Sequence, residues 1–128
     1  MKKCILIGIA GGSGSGKTSL AIKLLKEYGN NKLAVIEQDS YYKNLAHLTF
    51  DERAIYNYDH PDAIDIDLFQ SQLSTLLNGR NINIPIYDFS QHVRLKNTKM
   101  ITPFPVIIVE GILVLYFQQL RQLMVIKI

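Results

Sequence analysis

Gly11-Gly12-Ser13-Gly14-Ser15-Gly16-Lys17-Thr18 satisfies the pattern G-x-x-x-x-G-K-[ST]. Glycines let successive backbone N–H groups converge on phosphate oxygens, and a helix starting just beyond them adds the positive end of its dipole. In such a loop the Lys17 ammonium reaches the β- and γ-phosphates of a nucleoside triphosphate, and the Thr18 hydroxyl ligates Mg²⁺. The loop lacks the G-x-G-x-x-G spacing of a dinucleotide fingerprint. Two carboxylates stand at the ends of apolar runs: Asp39 in Glu37-Gln38-Asp39, and Glu110 directly before Gly111. Magnesium takes oxygen ligands and keeps several waters, so one or two carboxylates suffice. A hydroxyl acceptor for a phosphoryl group also needs a residue to orient it and take its proton. Asp39 is assigned that role, with contact to the metal through water, and Glu110 is assigned to the metal shell. Read without their neighbours, Asp39 fits a loop residue or helix cap equally well. A carboxylate in an apolar run such as that of Glu110 is costly to bury unpaired.

The elements around these residues follow from the spacing of apolar positions. Runs at 4–10, 33–36, 105–109 and 124–128 are continuous rather than alternating, as expected for parallel strands covered on both faces. A helix is expected over 17–28, with Leu20, Ala21, Leu24, Leu25 and Tyr28 on one face and Gly29 as its stop. A second is expected over 65–78, capped by Asp65 and ended by Gly79, and a third over 113–123. Between them, Ile82, Ile84 and Ile86 alternate with other residues, and the chain returns through Met100 and Ile101. Residues 81–102 therefore read as a small antiparallel excursion inserted into an α/β pattern. The fold class is α/β with a doubly wound parallel sheet, in which ligands bind beyond the carboxyl ends of the strands. That rule brings Asp39 and Glu110 to the glycine loop.

Composition narrows the alternatives. At 128 residues, 48% hydrophobic and 20% charged, the chain reads as one globular domain, and disorder as its main state is excluded. Lys and Arg total 14 against 11 acidic residues, a net +3 without runs of like charge, so binding nucleic acid mainly by charge is not expected. The single cysteine, Cys4, cannot form an internal disulfide, which favours a reducing compartment. The apolar run beginning at Pro105 is too short to span a bilayer and carries Glu110, so no membrane association and a cytoplasmic location are expected. His47, His60 and His92 have neither close pairing nor a cysteine partner, which leaves a zinc site unsupported.

Beyond the loop, four further blocks occur in order: Gln38-Asp39-Ser40-Tyr41-Tyr42, Tyr58-Asp59-His60-Pro61-Asp62-Ala63, Pro85-Ile86-Tyr87-Asp88-Phe89 and Val109-Glu110-Gly111-Ile112-Leu113. With them the chain resembles the uridine kinases of the P-loop phosphoribulokinase/uridine kinase family, along essentially its whole length. The resemblance implies a P-loop nucleoside triphosphate hydrolase fold, ATP or GTP as phosphate donor with Mg²⁺, and uridine or cytidine as acceptor. It further implies that Asp39 activates the ribose 5′-hydroxyl, Asp59 grips the ribose hydroxyls, Tyr42 lines the nucleoside pocket, and Tyr87 and His92 contact the pyrimidine. Read on their own, Asp59-His60-Pro61 is a turn before a helix, Tyr87 is a core residue and His92 is solvated.

The family's pattern continues past position 128 with another strand and an arginine-bearing lid over the phosphates. The resemblance therefore implies that residues 1–128 form the N-terminal part of a single P-loop kinase domain, incomplete at the C-terminus. Such a chain would be a fragment or the product of a prematurely ended reading frame, weak or inactive alone, and capable of homo-oligomers in its full-length form. Arg53, Arg80, Arg94 and Arg121 form no lid-like cluster in sequence. Two other readings stand beside this one. The chain could be a nucleotide-binding module without chemistry, or a kinase of another small hydroxyl compound such as a sugar phosphate or pantothenate. A GTPase switch is disfavoured by the lack of D-x-x-G and N-K-x-D patterns.

Overall fold

A computed structural model describes residues 4–11, 23, 26–27 and 33–128. Four strands, β1 (Ile5–Ala10), β2 (Leu33–Glu37), β5 (Val106–Gly111) and β6 (Ile126–Lys127), form one sheet in the order β2-β5-β1-β6. All its pairings are parallel. The continuous apolar runs have the explanation expected of them, because alternate residues feed two separate clusters. Leu6, Ala34, Ile36, Ile107 and Val109 join the larger cluster, while Ile7, Ile9, Leu33 and Ile108 form the smaller one on the opposite face. Glu37 and Glu110 are register partners in phase with the smaller cluster, each ending its own row.

The helix α2 (Ile66–Leu77) covers the larger cluster through Phe69, Leu73 and Leu76, all fully buried. Asp65 caps it, accepting from the Leu68 N–H at 3.4 Å. Tyr41 stacks on Phe69 with ring centroids 4.0 Å apart, locking the turn after β2 onto this helix.

Strands β3 (Ile82–Asp88) and β4 (Val93–Ile101) form the expected antiparallel excursion, with a bulge between Pro85 and Tyr87. Its tip is shaped by Asp88, whose Oδ1 accepts from Ser90 N–H at 2.9 Å and Ser90 Oγ at 2.6 Å. A short helix, α1 (Phe50–Ala54), opens with a capping box between Thr49 and Glu52. Its Arg53 donates from Nη1 to the Leu48 carbonyl at 2.6 Å and from Nε to the Gln91 carbonyl at 3.1 Å, tying α1 to the hairpin tip.

Two expectations change. The helix expected over 113–123 shrinks to α3 (Gln118–Arg121), with turns before it. The return strand begins at Val93 rather than near Met100. Of the helix expected over 17–28, Lys23, Lys26 and Glu27 are helical and exposed; Leu20, Ala21, Leu24, Leu25, Tyr28 and Gly29 lie outside the described residues. Among the described residues no helix is long and apolar enough to cross a membrane.

Candidate active site

Parallel pairing places the carboxyl ends of β1, β2 and β5 along one rim. Ile9, Glu110 and Glu37 occupy one row of the register, and Ala10 pairs with Gly111. Just past that row, the Gly11 N–H donates to the Gly111 carbonyl at 3.2 Å. The first residue of the glycine loop therefore starts beside Glu110. The rest of the loop (Gly12, Ser13, Gly14, Ser15, Gly16, Lys17 and Thr18) lies outside the described residues.

Asp39 follows β2 in a 3-10 turn, Gln38–Tyr41. The Tyr42 hydroxyl donates to its Oδ1 at 3.2 Å. Burial pushes the Tyr42 hydroxyl well above its ordinary value, helped by the charge of Asp39 and the bond to it, and by Asp59 and Tyr58. Tyr42 thus stays protonated and remains a donor to the carboxylate.

Glu110 is partly buried, and its Oε2 has no hydrogen-bond partner among the described residues. Burial raises its carboxyl from the ordinary value, with repulsion from Glu37 and Asp39 adding to the effect. Neighbouring carboxylates around an orphaned oxygen suit a hard divalent cation that keeps some of its waters. Among the described residues no three acidic, His or Cys side chains form a ready-made cage for such an ion.

The raised Glu110 carboxyl has a consequence for stability. An acid whose folded-state pKa exceeds its unfolded one binds more protons when folded. Its contribution is therefore complete below the unfolded value and is lost as pH rises through the folded one. Glu110→Gln is expected to raise the urea midpoint near neutral pH in EDTA, with the two proteins converging below about pH 4. A midpoint gain that persists in acid would assign the effect to something other than this carboxylate.

The remaining positions gather around an aromatic cluster. Backbone bonds join the segment at 41–43 to that at 63–65: Lys43 N–H donates to the Ala63 carbonyl at 2.9 Å, and Asp65 N–H to the Tyr41 carbonyl at 2.7 Å. The loop bearing Asp59 is thereby set beside Tyr42, with Asp59 exposed. Tyr42 meets Tyr58 and Tyr87 edge-on at 5.0 and 5.2 Å. His92 stacks on Tyr58 at 5.6 Å with planes 19° apart, so it is not merely solvated. It also has φ +53, a left-handed backbone at the end of the hairpin tip, just before β4. Tyr87 is buried, and its hydroxyl has no partner among the described residues. An open cleft of about 430 Å³ runs from Glu37 and Ser40 along Ile84, Tyr87 and Phe89 to Lys99.

Four residues of this region were not singled out from sequence: Glu37, Gln38, Tyr58 and Arg94. Arg94 Nη2 donates to the Tyr42 carbonyl at 2.8 Å and to Asp65 Oδ2 at 3.2 Å, fixing the hairpin against the Asp39 turn. Glu37, Gln38 and Tyr58 lie beside assigned residues in sequence, which was the available signal. For Arg94 there was none, because its partners are 52 and 29 positions away.

A model of the phosphoribulokinase/uridine kinase family matches residues 6–128. A uridine kinase of Lactococcus lactis subsp. cremoris (strain MG1363) is 52% identical over 128 residues, covering 100% of this chain and 62% of that protein. One from Streptococcus gordonii (strain Challis) is 54% identical over 124 residues, covering 97% of this chain and 59% of its own length. This chain thus spans about three fifths of the length of these curated relatives. Among solved structures, a protein described as a possible uridine kinase from Bacillus stearothermophilus superposes with a TM-score of 0.71 at 20% identity, over 99% of this chain and 70% of that one. Phosphoribulokinase from Rhodobacter spheroides gives 0.70 at 13% identity, over 99% of this chain and 50% of that one. At such identities these two likenesses speak for the fold alone.

Proposed function

The chain belongs to the phosphoribulokinase/uridine kinase family, and from that premise we propose that it transfers the γ-phosphoryl group of ATP or GTP to the 5′-hydroxyl of uridine or cytidine, a cytoplasmic step of pyrimidine salvage. The observation that carries the reading is the shared rim: the start of the glycine loop, Glu110 and the Asp39 turn stand together at the carboxyl ends of adjacent strands. Phosphoryl transfer is largely a matter of positioning and charge stabilisation, which such a rim supplies. The acceptor oxygen forms the new bond to phosphorus as the bond to the nucleoside diphosphate breaks, and the hydroxyl proton passes to Asp39. Lys17 and the loop amides hold the triphosphate. Mg²⁺, held through Thr18, Glu110 and a water on Asp39, would neutralise phosphate charge. Asp59 holds the ribose hydroxyls, and Tyr42, Tyr87 and His92 form the wall against which the pyrimidine rests.

Tyr42→Phe removes the donor that orients Asp39. A hydrogen bond of this length points to a loss of roughly 3- to 10-fold in kcat, with a modest fall in the urea midpoint. An unaffected kcat would show that Asp39 keeps its orientation without Tyr42.

The decisive assay measures diphosphate release from ATP and GTP with uridine, cytidine, ribulose 5-phosphate, pantothenate or no acceptor. Release that depends on uridine or cytidine supports the reading. Dependence on another acceptor moves the chain to a different branch of the family, and nucleotide affinity without any release, in this chain and in one of the relatives' full length, makes it a binding module.

A further inference from the structure

Tyrosines aside, Gln38 is the only buried polar or charged side chain among the described residues, with 1% of its surface exposed. A carboxamide is rarely placed so deep, because burying it is unfavourable unless its atoms are hydrogen-bonded. One end is satisfied from far away in sequence: Oε1 accepts from the Leu113 N–H at 2.6 Å, across 75 positions. That bond fixes which way the amide faces, since a backbone N–H needs an acceptor and Nε2 cannot supply one. Nε2 then points elsewhere and has no partner among the described residues. A methionine would fill similar space without burying an amide, so packing does not explain the choice of residue here.

The surroundings indicate what the amide does. Backbone pairing between β2 and β5 ends at the row of Glu37 and Glu110. One residue further on, the Gln38 side chain takes over the connection, reaching from the turn after β2 to the turn after β5. It lies directly on Gly111: a Cβ built there would overlap the Gln38 Cβ and Oε1, and would come within 2.8 Å of its Cδ. Gly111 also has φ +155, so a side chain at that position would be strained as well as obstructed. Glycine at 111 and glutamine at 38 are therefore two halves of one fit. Asp39 is the next residue in the short turn that Gln38 begins, and Glu110 immediately precedes Gly111.

We propose that Gln38 is a positioning residue, a buried strut that holds the turn carrying Asp39 at a fixed separation from the segment carrying Glu110. It touches neither substrate, and it acts by keeping the carboxylate that takes the proton in register with the carboxylate across the rim. The proposal rests on the phosphotransferase reading for its kinetic consequence and on geometry alone for its structural one.

The test uses the full chain and Gln38→Met, which keeps the volume but removes the acceptor for Leu113, alongside Gln38→Glu, which keeps an acceptor oxygen. Gln38→Met is expected to lower kcat about 10- to 10²-fold, with KM for nucleoside and triphosphate both held within about twofold, as for a small misplacement of reacting groups. Amide exchange at Leu113, read by NMR, should accelerate in Gln38→Met and return to slow exchange in Gln38→Glu. Unchanged kcat in a folded Gln38→Met, or unchanged exchange at Leu113, would overturn the proposal. So would a loss confined to KM, which is the signature of weakened binding. Absence of turnover in the unsubstituted chain would leave exchange at Leu113 to decide the strut by itself, and the phosphotransferase reading would then be tested in a chain of the relatives' full length. Should Gln38→Met fail to fold, Gln38→Asn, one methylene short of Leu113, carries the same expectations and the same power to refute.

Discussion

Asp39→Asn is expected to lower kcat for phosphoryl transfer by about 10²- to 10⁴-fold, the usual contribution of a positioned general base. The substitution is nearly isosteric, and its oxygen still accepts from the Tyr42 hydroxyl that holds the present carboxylate at 3.2 Å. The turn over Gln38–Tyr41 has no reason to move, because Tyr41 stays stacked on Phe69 and Gln38 stays bonded to Leu113. What the amide lacks is a lone pair basic enough to take the hydroxyl proton. On the proposed reading, affinity for the triphosphate should stay within about twofold, since that binding is assigned to the loop amides and Lys17 and the base acts on the acceptor. Removing one negative charge beside Glu110 will, if anything, favour a polyanion. Single-turnover phosphoryl transfer and calorimetric titration with ATP separate the two effects. A mutant with parental kcat would remove Asp39 from the base role, and one that loses ATP affinity in parallel would make Asp39 chiefly a metal ligand.

The parts of this site legible in sequence were those governed by local rules. Continuous apolar runs identified the parallel strands, and parallel strands end on the same rim, so Asp39 and Glu110 could be brought to the loop without coordinates. Alternation at Ile82 and Ile84 likewise exposed the excursion, because both join the core; at Ile86 the pattern misleads, since the bulge puts Tyr87 on the core face instead. Its partner was read too short for the complementary reason: β4 is exposed over most of its length, so no apolar pattern marks it. The helix expected over 113–123 failed through distant hydrogen bonding. Leu113 gives its N–H to Gln38, and the Arg121 guanidinium binds the Leu115 and Tyr116 carbonyls at 2.8 and 2.7 Å. The Leu115 and Tyr116 carbonyls, which a helix would have paired internally, are taken by Arg121, while the Leu113 N–H, which the first turn of a helix leaves unpaired, ties this turn to Gln38. The interlock of Gln38 with Gly111 was invisible for the same reason, since neither residue's near neighbours announce the other.

Lys17→Ala tests the other half of the site. The loop motif assigns this ammonium to the β- and γ-phosphates, and Gly11, the loop's first residue, is bonded to Gly111 at 3.2 Å next to Glu110. The charge around the site gives a cation a physical role: Glu37 and Asp39 repel the Glu110 carboxylate and add to the rise that burial causes, and a triphosphate would add further negative charge. Losing a charge-assisted hydrogen bond should weaken ATP binding by about 10- to 10²-fold. Losing a preorganised positive charge where the transferring group develops its own should lower kcat by about a further 10²- to 10³-fold. Lys17→Arg keeps the charge but, with a planar fork in place of a compact ammonium, should recover affinity more than rate. Raising Mg²⁺ should narrow the affinity deficit of Lys17→Ala and leave the rate deficit largely in place. Parental affinity and rate in Lys17→Ala would mean that the triphosphate does not sit at this loop, and the shared rim would then have to serve a different ligand.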